Sequence, residues 1–197
     1  MVNFNFPLKC KFKIGTISND FLVYDSTGDL IFYVREKIFS WKDKIRVYSD
    51  DSKNELIYEL VSNKVIDFQQ TFSIFNSKHT LIGKLKRKSI KSLWRSSFKL
   101  MDQNNVHDFD IKEKNPFTKF LDGIFGEIPL LGFFSGYILN PSYILKNIHG
   151  ELLFEIVKEP SFFGRKFSIN KVSHQQIDQE RLVVSILLMI LNERNRG

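Results

Sequence analysis

The chain has 197 residues, 43% hydrophobic and 26% charged, so it has ample material for a core, in one large domain or two small ones. Lys and Arg, 29 together, exceed Asp and Glu, 22 together, by a net +7, which fits either an anionic partner or a well-solvated surface. A single cysteine, Cys10, excludes an internal disulfide framework and any multi-cysteine metal site, and points to a reducing compartment.

The N-terminus, Met1 to Pro7, lacks the charged region and apolar stretch of a signal peptide, so a cytoplasmic protein is expected. Phe4, Phe6, Leu8, Cys10, Phe12 and Ile14 then alternate with polar positions, the signature of a half-buried strand. Cys10 falls on the apolar face and reads as a small buried hydrophobe.

A repeat follows. Phe21, Val23, Asp25, Gly28, Leu30, Phe32 and Val34 share their spacing with Phe72, Ile74, Asn76, His79, Leu81, Gly83 and Leu85. Two further copies begin at Phe98, with Asp102 and Asn105, and at Tyr143, with Asn147 and Gly150. Each copy is one hairpin. The Asp or Asn caps the turn through its own backbone, the Gly, Asn or His three residues on supplies a positive φ, and the flanking alternation gives each arm one buried face. A looser copy runs from Ile45 and Val47 to Leu56, Tyr58 and Leu60 around a longer turn, Asp50 to Lys53. Five hairpins, the N-terminal strand and a last strand at Phe167–Val172 make about twelve strands, a number at which sheets curl, split or close.

Between the second and third full copies lies the most basic stretch of the chain. Lys84, Lys86, Arg87, Lys88, Lys91, Arg95 and Lys99 occur without an acid among them, and Lys84, Lys86 and Lys88 fall on the outer face of one strand with Trp94 in the turn beyond. A basic face beside a tryptophan suits an anionic lipid surface. It also suits a solvated strand whose lysines discourage edge pairing, with Trp94 in the core. Nucleic acid is disfavoured, because no aromatics are interleaved on the exposed face.

The segment Asn115–Pro141 breaks the pattern. Asn115 before Pro116 is a helix start, and Phe117, Phe120, Leu121, Ile124 and Phe125 have helical spacing, ahead of an apolar, glycine-rich loop with Phe133 and Phe134. It either plugs one end of the fold or presents phenylalanines to a membrane. Lys119, Asp122 and Glu127 argue against a span.

Near its end the chain runs Leu182-Val183-Val184-Ser185-Ile186-Leu187-Leu188-Met189-Ile190-Leu191 between charged flanks. A segment apolar all round must be enclosed, and a bilayer span takes about 20 apolar residues. The expectation is a helix wrapped by protein, with acids in its first turn and arginine near its last. An all-β closed barrel of roughly twelve antiparallel strands around this helix satisfies both the repeats and the terminus.

No set of nucleophile, base and orienting residue is recognisable. The histidines His79, His107, His149 and His174 have no partner at metal-ligand spacing, Asp50-Asp51 and Asp20, Asp25, Asp29 lack the calcium-loop form, and no glycine motif binds phosphate. No cofactor, metal or catalytic residue is expected.

The Phe-x-Val-x-Asp-x-x-Gly hairpin at Phe21, the basic arm Gly83 to Lys88 before Leu93-Trp94, and the terminal Asp178-x-x-x-Leu-Val-Val-Ser-Ile-Leu-Leu together resemble the tubby C-terminal-like superfamily. Within it the nearest match is the LURP-one-related branch, with phospholipid scramblases as cousins. The likeness runs from about Phe12 to Asn192 and implies one domain over 1–197, a twelve-stranded barrel threaded by its C-terminal helix. It also implies a link to membranes, since tubby domains bind phosphoinositides and scramblases act on bilayers. Asn115–Pro141 departs from the plant members. Fold and basic stretch together lead to a non-catalytic cytoplasmic module for anionic phospholipid, using Lys84 through Lys99 and, for membrane contact, Trp94, Phe133 and Phe134. The alternatives are a scaffold for an acidic protein surface and, third, an enzyme or ligand carrier, which needs a barrel interior the helix does not fill.

Overall fold

The computed structural model describes residues 2–15, 19–37, 44–63, 70–87, 97–114, 141–161, 165–175 and 177–194. In chain order the strands are β1 (Leu8–Phe12), β2 (Phe21–Tyr24), β3 (Leu30–Lys37), β4 (Lys44–Tyr48), β5 (Leu56–Asn63) and β6 (Thr71–Asn76). Then come β7 (Leu81–Arg87), β8 (Ser97–Met101), β9 (His107–Glu113), β10 (Ser142–Asn147), β11 (Leu152–Glu159) and β12 (Lys166–Lys171), followed by a helix, α1 (Gln179–Arg194). Each strand pairs antiparallel with its neighbours in sequence, and β1 also pairs with β12, so the sheet closes into a barrel. Closure removes the two edges that a sheet of this size would otherwise expose. The helix expected after Asn115, and the rest of that segment up to residue 140, lie outside the described residues.

Four of the hairpin turns are one structure repeated. The Oδ1 atoms of Asp25, Asn76, Asp102 and Asn147 each accept from two backbone N–H groups, two and four residues on, at 2.8–3.1 Å. Three residues after each comes a positive φ: Gly28 at 94°, His79 at 59°, Asn105 at 65° and Gly150 at 86°. The longer turn uses the same device, with Ser52 N–H on Asp50 Oδ1 at 2.8 Å and Lys53 at φ 63°. Every one of these hairpins shifts register by a residue beside its turn, the bulge that a left-handed residue introduces.

The first strand is shorter than its alternation suggested. Phe4 is buried and Phe6 half-buried ahead of β1, but Ile14 lies beyond the strand and is 70% exposed. The chain leaves the wall there, with Lys13 N–H on Asp20 O at 2.9 Å and Gly15 at φ 77°.

The barrel interior is filled by α1. Every residue from Leu182 to Leu191 is at most 1% exposed, Ser185 included, and the apolar ones share a single cluster with the inward side chains of the strands. Asp178 caps the helix, its Oδ1 accepting the Arg181 N–H at 3.2 Å. Glu180 in the first turn accepts the Val2 N–H at 3.0 Å, which ties the N-terminal stretch to the beginning of the helix. Arg181 is the departure from the expected charge pattern: a base in the first turn, where the helix dipole favours acids. Asp108 grips it with both carboxylate oxygens and Asp178 holds its Nε at 3.2 Å.

Because strand direction alternates, the barrel has two unlike rims. The five short turns, the N-terminal stretch and the beginning of α1 share one, the hairpin rim. The connections β1–β2, β3–β4, β5–β6, β7–β8, β9–β10 and β11–β12 all leave from the other, the connection rim. There the last turn of α1 is pinned by Tyr143, whose hydroxyl donates to Glu193 Oε2 at 2.6 Å.

Candidate functional site

The basic stretch builds one wall of the barrel. Gly83 and Leu85 of β7 are buried, which turns Lys84 and Lys86 outward. Phe98 and Leu100 of β8 are likewise buried and turn Lys99 outward. Register sets Lys86 directly opposite Lys99, and Lys84 opposite Met101. Neither strand carries an acid, nor does β6 beside them. Arg87 has the parity of Leu85, so it does not share the outer face; it is half-buried at the strand end, its N–H on Gln70 O at 3.0 Å. Lys88, Lys91, Trp94, Arg95, Phe133 and Phe134 lie outside the described residues. The strand ends that flank them, of β7, β8, β9 and β10, all belong to the connection rim.

Two neighbours of this wall come from far along the chain. Lys84 Nζ donates to Asn105 Oδ1 at 2.6 Å, so a turn residue orients it. Asp110 of β9 stands opposite Lys99, with Lys112 Nζ and His107 Nε2 each 3.4 Å from its oxygens. The wall is therefore basic across β7 and β8 and bounded by a carboxylate one strand over. On the other side β5 is the first strand to carry an acid, Glu59, held by Arg46 at 3.1 Å.

The remaining sequence candidates fall into structural roles. Burial, reinforced by the charge of Glu159, pushes the Cys10 thiol far up, which leaves it un-ionised and inert. His79 stacks on Phe75 with ring centroids 4.9 Å apart, in the turn it was expected to form. Asp25 is a cap: hydrogen bonds from the Thr27 and Asn5 side chains, with backbone bonds behind them, bring its carboxyl down to about 2. Asp20 is buried and accepts from the Tyr33 hydroxyl, whose pKa is raised by burial and by that bond. Among the described residues no group of His, Cys, Asp and Glu could hold a metal ion, and no helix is long and apolar enough to cross a membrane.

A LURP-one-related family model matches residues 6–127. The chain belongs to the LURP-one-related family. The matched stretch holds β1 to β9 and the whole basic wall; β10 to β12 and α1 complete the barrel beyond it. No curated protein matches the chain. For this LURP-one-related barrel the family carries the fold, and any activity has to be argued from its own surface.

Proposed function

We propose that the protein is a non-catalytic module that engages anionic phospholipid headgroups, peripherally on a cytoplasmic membrane face, through Lys84, Lys86 and Lys99 of the β7–β8 wall. Lys88, Lys91 and Arg95 of the adjoining connection add charge in this reading, and Trp94, Phe133 and Phe134 add apolar contact. The observation that carries it is the direct opposition of Lys86 and Lys99 on an acid-free pair of strands. Like charges placed opposite one another weaken a sheet, and an anion seated between them relieves that repulsion. The helix-filled interior weighs against a ligand carrier or a buried active site, since the space such a site needs is occupied by Leu182 to Leu191.

A second reading, a scaffold for an acidic protein partner, is favoured by Asp110. A carboxylate opposite Lys99 suits a partner surface of mixed sign better than a uniformly anionic one.

Co-sedimentation with neutral, phosphatidylserine-containing and phosphoinositide-containing vesicles tests the lipid reading. The wild-type chain is expected to pellet with the anionic vesicles at low salt and to release as salt rises, since screening acts over about 8 Å at 0.15 M. Changing Lys84, Lys86 and Lys99 together to Gln should weaken binding by roughly two orders of magnitude, three charges at about 1 kcal/mol each, while each moves stability by no more than about 0.5 kcal/mol. Failure of the wild type to pellet with any anionic vesicle at low salt would sink the lipid reading and leave the protein partner.

A further inference from the structure

In the register of the described strands, every pair of directly opposed like charges is basic. Lys11 faces Lys166, Arg35 faces Arg46 and Lys86 faces Lys99. All lie in the half of the barrel next to the connection rim, and they belong to three separate walls, β1–β12, β3–β4 and β7–β8. The hairpin rim has the opposite character. Its six stretches, 24–31, 48–57, 75–82, 101–108, 146–153 and 171–182, hold ten Asp and Glu against five Lys and Arg in a chain whose net charge is +7. Outside those stretches the described residues hold 17 Lys and Arg against eight Asp and Glu, so among them positive charge gathers away from the hairpin rim and gives the barrel a charge dipole along its axis.

Single walls and whole ends meet different partners. An acidic peptide or one headgroup spans one wall, and for it the pairs on the other two walls have no use. A flat anionic surface reaches charges on three walls at once only when it is approached along the barrel axis. We infer that the protein docks end-on against an anionic phospholipid bilayer, connection rim first, with the acidic hairpin rim pointing away. The proposal rests on the lipid reading above and deepens it by fixing the orientation. The dipole serves the encounter as well, because it turns the basic end toward the membrane before contact.

Three double variants of the full chain read the orientation, each checked for an unchanged thermal transition: K86Q/K99Q, K11Q/K166Q and R35Q/K44Q, the last sparing Arg46 for its bond to Glu59. A control, K78Q/K171Q, removes the same charge from the hairpin rim. With phosphatidylserine-containing vesicles at about 0.15 M salt, each of the three should weaken binding by roughly 30-fold, which is two charges at about 1 kcal/mol each. The control should stay within about twofold, its charges lying more than a Debye length of about 8 Å from the surface at 0.15 M salt. Loss confined to K86Q/K99Q overturns end-on docking and leaves the lipid reading standing on one wall. An equal loss in the control overturns it too, since net charge alone then governs binding. A wild type that binds no anionic vesicle removes the lipid reading itself, and the orientation with it.

Discussion

Arg181 of α1 lies so close over Gly83 of β7 that a Cβ at Gly83 would stand 2.6 Å from its Cδ and 2.8 Å from the Met101 carbonyl oxygen. Arg181 is 5% exposed, stacked 5.4 Å from the Phe109 ring and held by Asp108 and Asp178. In the other hairpins the position equivalent to Gly83 is Phe32, Tyr58, Phe109 or Phe154. The missing side chain is what lets a charged residue pass from the helix to the barrel wall.

Gly83→Ala is therefore expected to destabilise the protein by about 1–3 kcal/mol, the usual cost of overpacking. Part of that cost should vanish in an Arg181→Ala background, giving a coupling of at least about 0.5 kcal/mol in a double-mutant cycle read by urea denaturation. Strict additivity would mean that the Met101 carbonyl, and not Arg181, is what Gly83 accommodates.

The turns allow a test of backbone strain isolated from packing. A Cβ at Gly150 would meet nothing within 4 Å, so the loss in Gly150→Ala measures the left-handed conformation alone, about 1–2 kcal/mol. His79 already holds φ 59°, so His79→Gly should be neutral or mildly stabilising, the relief of strain offset by the lost stacking on Phe75. A clearly destabilised His79→Gly in thermal melts would show that the imidazole has a role beyond the turn.

These turns were legible in the sequence because everything that builds them sits within five residues: an Asx acceptor, two N–H groups and a left-handed residue. The enclosed helix was legible for a similar reason, since ten residues without a polar face announce burial wherever they pack. Gly83 and Asp110 were not. Gly83 reads as an ordinary member of an apolar series until α1 is threaded past it, and Arg181 reaches Asp108 across a separation of 73 residues. Asp110 comes to border the basic wall only through the β8–β9 register, so a scan for acids among Lys84 to Lys99 finds none. Ile14 failed in the opposite sense: the apolar alternation runs on past Phe12, where β1 ends and the chain turns away from the barrel toward Gly15.

Acid should expose the cap at Asp25. Its carboxyl is drawn from an ordinary 3.8 down to about 2 by bonds present only in the folded chain, from Thr27 and Asn5 foremost. A depressed carboxyl contributes stability above its unfolded value and loses it as the pH falls through its folded one. The contribution is thus whole above about pH 4 and gone below about pH 2. Asp25→Asn keeps an acceptor for the turn and lacks the titration, so its urea midpoint should fall less steeply than the wild type's across that window. Parallel pH curves would assign the acid limb to other carboxylates.

Asp110 offers a prediction in the direction of gain. Its carboxylate sits opposite Lys99 and within 3.4 Å of Lys112 and His107, so it offsets positive charge at the border of the wall assigned to phospholipid. One of its oxygens is buried without a hydrogen-bond partner, and an amide fits that position without leaving a charge behind. Asp110→Asn should fold normally and bind phosphatidylserine-containing vesicles more tightly, by roughly fivefold if one charge near the surface is worth about 1 kcal/mol. The gain should shrink as salt rises, because the removed repulsion is itself screened. A protein partner that reads the mixed charge of this wall predicts the reverse: Asp110→Asn leaves vesicle binding unchanged and weakens the complex with that partner. Vesicle affinity of this single variant at low salt thus separates the two readings of the β7–β8 wall.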